Sequence, residues 1–140
     1  MRDYIYLLTP FLAWLIAGIV KFLINSVKSR RLAFDLIGYG GMPSNHSAIV
    51  CSIVALIAYK EGINNPAFGV AVALAFIVML DATSLRRQVG QHAASINFLN
   101  KAARSDSPVL RERMGHTRSE IVLGAILGFI IGASIGYLFS

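Results

Sequence analysis

Four apolar stretches separated by short polar connections constrain what this chain can fold into. Tyr4 to Val20, Pro66 to Leu80 and Ile121 to Phe139 contain no Asp, Glu, Lys or Arg, and Ser47 to Tyr59 is a shorter run of the same kind. A helix rises 1.5 Å per residue and a bilayer core is about 30 Å thick, so a span needs about 20 residues. The first and last stretches meet that length. The middle two are short on their own, but only Lys60-Glu61-Gly62-Ile63-Asn64-Asn65 separates them. That linker reads as the turn of a transmembrane hairpin, with polar flanks extending each helix into the interface. Charged residues make up 14% of the chain, against about 25% in a soluble domain. Hydrophobic residues make up 56%, and the mean hydropathy is +0.64. The expected fold is all-α: an integral membrane helical bundle forming one domain over 1–140. Its four transmembrane helices are expected near 4–24, 44–60, 65–81 and 118–139.

The first stretch lacks a small-residue cleavage site and runs on to Ile24, so it is expected to be a retained anchor rather than a signal peptide. The single cysteine, Cys51, lies inside the second helix, which excludes an intramolecular disulfide and leaves it a packing role. Eleven of the thirteen Lys and Arg residues fall in two connections. Lys21, Lys28, Arg30 and Arg31 follow the first helix, and Arg86, Arg87, Lys101, Arg104, Arg111, Arg113 and Arg118 follow the third. In a four-helix topology both connections lie on one side, which the positive-inside rule makes cytoplasmic, with both termini outside a plasma membrane. Arginines that bind a substrate phosphate would bias the same count. The net charge of +6 is held at a membrane surface, so anionic lipid explains it better than nucleic acid, and no nucleic-acid partner is expected.

Asp81 to Arg118 is the one long connection. Leu85, Val89, Ala93, Ile96 and Leu99 recur there at nearly helical spacing, and Arg86, Arg87, Lys101 and Arg104 supply a charged face. These features predict a connecting helix over 84–104, lying along the interface or bent into the bundle, and broken by Ser105-Asp106-Ser107-Pro108. The connection from Lys28 to Gly41 ends in the pair Gly40-Gly41, which permits tight or left-handed backbone. In the last helix Gly124, Gly128, Gly132 and Gly136 form one stripe, since residues four apart share a face. Such a stripe lets another helix backbone approach closely, either within the chain or in a homo-oligomer, and the intramolecular use is favoured.

Two polar motifs stand at the mouths of apolar helices: Gly40-Gly41-Met42-Pro43-Ser44-Asn45-His46-Ser47 and His116-Thr117-Arg118-Ser119-Glu120. Two imidazoles, a carboxylate and guanidinium groups at a lipid boundary are the parts that phosphoryl transfer needs. Pro43 suits the first turn of a helix, which would place Ser44 to Ser47 where free backbone N–H groups attract an anion. On the plainer reading Ser44 is a cap and His46 an interfacial histidine. His116 and Glu120 stand four apart, so on a helix Glu120 can hold the imidazole in one tautomer. Thr117 to Glu120 equally fits a capping box. Asp81, at the end of the third stretch, can orient an arginine, bind a metal or cap the next helix. His92 lies on the polar side of the connecting helix and is expected to be solvated. No His, Cys and carboxylate spacing matches a common metal site, so no metal and no cofactor are expected.

Pro43-Ser44-Asn45-His46 is similar to the Pro-Ser-Gly-His motif of the type 2 phosphatidic acid phosphatase and vanadium haloperoxidase superfamily. His116-x-x-x-Glu120 resembles its later His-x-x-x-Asp motif, with Glu for Asp. Together with Gly-Gly-Met-Pro-Ser-Asn-His-Ser-Ala and Asp81-Ala82-Thr83-Ser84-Leu85-Arg86-Arg87, the chain most resembles the small divergent branch of that superfamily, over most of its length. The resemblance implies His116 as the nucleophile, Glu120 as its orienter, His46 as the general acid, and Ser44 and Asn45 at the phosphate. Several residues depart from the pattern. The Lys-x6-Arg-Pro motif is absent, although Lys21 and Lys28 have a similar spacing, and Leu110 stands where an arginine precedes the nucleophile. Arg86, Arg87, Arg111, Arg113 and Lys28 are the cations available to replace those losses.

The implied function is a metal-independent lipid phosphate phosphatase acting on a phospholipid, with a phosphatidylglycerol phosphate favoured, or on a polyprenyl pyrophosphate. Two other classes stay open. One is a protein that binds anionic lipid without turnover. The other is a small transporter or membrane-complex subunit using Asp81, Glu120 and the histidines as an ion path.

Overall fold

The computed structural model describes residues 4–32 and 41–140. The Gly40 half of the Gly-Gly pair therefore lies outside the described residues. All regular structure among them is helical. The elements are α1 (Ile5–Ser29), α2 (Asn45–Lys60), α3 (Pro66–Leu80), α4 (Arg86–Ala102) and α5 (Arg118–Leu138), with a π turn over Asp81–Leu85 between α3 and α4.

Among the described residues three helices are long and apolar enough to cross a membrane: α1, α5 and the continuous 37-residue helix from Pro66 to Ala102. The large apolar side chains on their outer faces, among them Phe11, Trp14, Phe76, Ile77 and Ile130, are exposed as lipid contact requires. α2 has only 16 residues, but it is the centre of the bundle and packs against α1, α3 and α5. Its buried residues include Ala48, Val50, Cys51, Val54, Ala55 and Leu56.

α1 runs past the expected end near Ile24. Its last turn, Asn25 to Ser29, is polar enough to leave the bilayer while remaining helical, and the Ser29 hydroxyl donates to the Asn25 carbonyl at 2.8 Å. Arg30 then closes the helix in the left-handed region, with φ of 52°. On its inner side Ile5, Thr9, Ala13 and Ala17 are buried at four-residue spacing, and the Thr9 hydroxyl is satisfied by the Ile5 carbonyl at 2.6 Å.

The seam between α2 and α5 explains the glycine stripe. A Cβ at Gly124, Gly128 or Gly132 would run into the backbone of Ser44, Ala48 or Ser52, and one at Gly136 would meet the Tyr59 ring. Both series rise together, so the helices are parallel, and their backbones touch from Gly124 to Gly132, over about two turns. The stripe is filled within the chain. The register also places Ser44 level with Gly124, six residues inside α5, so α2 begins about 9 Å below the start of α5 at 1.5 Å per residue. That offset creates a recess at one end of the bundle. At the other end the Lys60 ammonium donates to the Phe139 carbonyl at 3.0 Å, and the Tyr6 hydroxyl donates to Glu61.

The connecting helix is present as α4, but nothing caps its start. Asp81 is not a cap, because α3 passes into α4 through the π turn. The 37 residues amount to about 55 Å of helix, against a core of about 30 Å, so α3 and α4 together exceed a single crossing. It stops at Ala102, just before the Ser-Asp-Ser-Pro run, and the chain folds back along it. The Asn97 amide clasps the returning segment, donating to the Leu110 carbonyl and to Glu112 and accepting from the Leu110 N–H, each at 2.8 Å.

Candidate functional site

α2 starts at Asn45 rather than at Pro43, because Ser44 takes the cap. Its Oγ accepts from the Ser47 N–H at 3.4 Å and lies 3.1 Å from the Ser47 hydroxyl, and both serines are fully buried. The Ser44 N–H in turn donates to the Glu120 carbonyl at 2.9 Å, which ties the mouth of α2 to the first turn of α5. His46, one residue into the helix, points back towards the recess, as helical side chains do.

The two readings of Glu120 hold at once. Thr117 accepts the Glu120 N–H at 3.3 Å, and Glu120 Oε2 accepts the Thr117 N–H at 3.0 Å, which completes a capping box. The same oxygen lies 3.0 Å from His116 Nδ1. A carboxylate that accepts from Nδ1–H leaves the Nε2 lone pair free. The backbone fixes His116 as well, since its N–H donates to the Ala82 carbonyl inside the π turn at 3.0 Å. Gly115 makes that approach feasible: its φ is +89°, and a Cβ there would crowd Ala82 O and Arg87 N at 3.2 and 3.3 Å. The His116 side chain is 8% exposed and that of Glu120 is 14%.

The rings of His46 and His116 face each other with centroids 6.4 Å apart and planes tilted by 56°. Arg86 joins them. Its Nη2 lies 3.4 Å from His46 Nε2, and its Nε donates to Asp81 Oδ2 at 2.8 Å. A guanidinium only donates, so this approach requires a lone pair on His46 Nε2 and the ring proton on Nδ1. His46 Nδ1 and Asn45 Oδ1 are buried without a hydrogen-bond partner among the described residues.

The π turn explains why Arg86, and not Arg87, reaches the site. In an α-helix the facing neighbours are three and four apart, so residues 81 and 86 would diverge. The wider turn, closed by the Arg86 N–H on the Asp81 carbonyl, brings the pair onto one side. Asp81 thus orients an arginine. Arg87, Arg111, Arg113 and Lys28 are exposed, and Arg111 Nε donates to the Arg113 carbonyl at 3.3 Å. The structure does not assemble these four with the histidines. His92 is exposed, and Cys51 is buried in the core of α2.

Sequence reasoning left Lys21 and Asn25 out of the site. Both are half-buried on α1, and Lys21 is within electrostatic reach of Glu120 and His46. The neighbouring face of α1 meets the same recess, with Gly18 beside the Asn45 amide and Asn25 beside Gly41. Gly18, Lys21 and Asn25 stand three and four residues apart, which is a helix-face signal. Ending the first helix at Ile24 left Asn25 outside it, and counting Lys21 with the connection hid the rest.

A family model described as "Divergent PAP2 family" matches residues 3–131. The chain is 32% identical, over 149 aligned positions, to "Uncharacterized membrane protein YuiD" of Bacillus subtilis (strain 168), covering 95% of this chain and 94% of that protein. No solved structure matches it.

Proposed function

Because the chain belongs to the Divergent PAP2 family, we propose that it is a membrane-embedded phosphatase of lipid phosphates, working through a phosphohistidine. The observation that carries this reading is the pair of imidazoles, 6.4 Å apart, over the adjoining N-termini of two parallel helices with a guanidinium alongside. Phosphoryl transfer asks for an attacking group and a leaving-group acid on opposite sides of phosphorus, with positive charge around its oxygens. His116 supplies the first, His46 the second, and Arg86 the third. Lys21 and the positive N-terminal end of α2 add to the field.

In the first step the His116 Nε2 lone pair attacks phosphorus and the ester P–O bond breaks. Its electrons stay on the alcohol oxygen, which takes a proton from His46. Glu120 stabilises the positive charge that develops on the His116 ring. In the second step water attacks phosphorus, the P–N bond breaks, His46 accepts the water proton, and inorganic phosphate departs. The incoming phosphate draws Arg86 away from His46 Nε2, and that nitrogen takes up the acidic proton of the phosphate monoester, so that Nε2–H is in place to protonate the alcohol oxygen as the ester bond breaks. Asp81 holds Arg86 in place.

The recessed end carries most of the basic residues, which favours a cytoplasmic site in the plasma membrane. A substrate made in the inner leaflet then fits best, and a phosphatidylglycerol phosphate is the first choice. The test is phosphate release by purified protein across phosphatidylglycerol phosphate, phosphatidate and undecaprenyl pyrophosphate, with and without EDTA. Release that survives EDTA and vanishes in both His116→Ala and His46→Ala is expected. Release abolished by EDTA would replace the mechanism with a metal-dependent one. No release from folded protein would favour lipid binding or transport.

A further inference from the structure

A cavity of about 400 Å³ lies between α2, α3 and α5 and is lined only by apolar side chains. Cys51 and Val54 of α2, Ala75 and Met79 of α3, and Ala125 and Phe129 of α5 form much of its wall. Its position relative to the histidines is informative. Met79 is two residues from Asp81, Cys51 is five beyond His46, and Ala125 is five beyond Glu120. The cavity therefore opens one to two helical turns beneath the recess. It then follows α3 down to Phe68, eleven residues from Met79, a run of about 16 Å. One leaflet of the hydrocarbon core is about 15 Å deep.

Small residues create this space: Ala75 and Ala125 leave a furrow where larger side chains would close the helix contacts. The mouth faces outward, because Val72, Phe76 and Phe129, which also line it, are exposed at 41%, 60% and 46%. A cavity needed only for packing would be filled. This one is apolar throughout, runs about the depth of a leaflet, and begins beneath the recess that holds the two histidines.

We infer that this furrow holds a hydrocarbon chain of the substrate, so that the phosphate is seated in the recess and the chain between α2, α3 and α5. The inference rests on the proposed phosphatase reading, and it deepens that reading by making the hydrocarbon chain part of recognition. The fit to a single leaflet selects a lipid phosphate of the leaflet next to the histidines, rather than a water-soluble phosphate ester.

The test uses the full-length His116→Ala protein in nanodiscs, where the lipid is not consumed. A phosphatidate with a diazirine near its acyl terminus is photolysed, and the labelled residues are mapped by mass spectrometry. Phosphatidylcholine with the same label is the control. Preferential labelling of furrow residues by phosphatidate is expected. Ala75→Leu and Val72→Trp, which narrow the furrow from its floor and its rim, should lower that labelling to the level of the phosphatidylcholine control. In the catalytically intact background, the same two variants should lose more release from phosphatidate than from a soluble aryl phosphate. Equal furrow labelling by phosphatidylcholine, or labelling confined to the outer faces of α1 and α5, would overturn the inference. Absence of phosphate release in intact protein with furrow labelling retained would instead break the phosphatase reading and leave the furrow as a phosphatidate-binding site.

Discussion

The two histidines stand 6.4 Å apart, yet they are held in opposite ways. His116 is fixed at both ends, its ring by Glu120 and its backbone by the Ala82 carbonyl. His46 has no such anchor on its backbone, and its ring meets only an arginine, at Nε2, with Nδ1 unpartnered among the described residues. A nucleophile gains from fixed orientation and a fixed tautomer. A group that gives and then takes back a proton gains from loosely held nitrogens. The contrast matches the two roles proposed for them, His116 as nucleophile and His46 as acid, which the resemblance in the sequence implies.

Replacing the fixed histidine should have the largest effect. His116→Ala should lower lipid phosphate turnover by about 10⁴-fold or more, and acid-quenched wild-type protein, but not the variant, should retain radiolabelled phosphate. For the loosely held histidine the loss should depend on the leaving group. His46→Ala is expected to cost about 10²- to 10⁴-fold on an alkyl phosphate and far less on p-nitrophenyl phosphate, whose leaving group departs without a proton. Equal losses on both substrates would remove the distinction between the roles.

Arg86→Lys sharpens the comparison from the substrate side. A lysine cannot serve Asp81 and a phosphate with one planar fork, so kcat should fall by about 10²-fold, the cost of losing one well-placed donor. The α2–α5 seam sets the distance between the two rings, and Gly128→Val places a branched side chain against the Ala48 backbone. Unfolding in a denaturant series should register a loss of about 1–3 kcal/mol, with activity falling further than stability explains. The smallest effects belong to the outlying cations. Arg87→Ala and Arg113→Ala should leave turnover within about twofold, as exposed substitutions generally do.

How far the sequence reached depends on the kind of interaction. α2 and α3 are capped by Ser44 and Asn65 close to the expected positions, because caps are local chemistry. The capping box at Thr117 and the partnership of His116 with Glu120 were equally legible, since both act within one turn. The glycine stripe announced a close helix contact, but not that Ser44, Ala48, Ser52 and Tyr59 would meet it. Lys21 was visible as a charge and misplaced as a connection residue. The run from Asn25 to Ser29 looks like a linker until the helix is seen to continue.

The sequence by itself determined an all-helical membrane chain, the helix starts that carry His46 and His116, and the carboxylate beside the second of them. Each follows from hydropathy or from contacts within about four residues, which periodicity records. Only the tertiary structure decided that the two helix starts meet in a recess, that Arg86 rather than Arg87 enters it, and that α1 turns Lys21 towards it. Those outcomes depend on the offset between α2 and α5 and on one widened turn after α3. Both are set by how whole helices pack, and no local pattern encodes them.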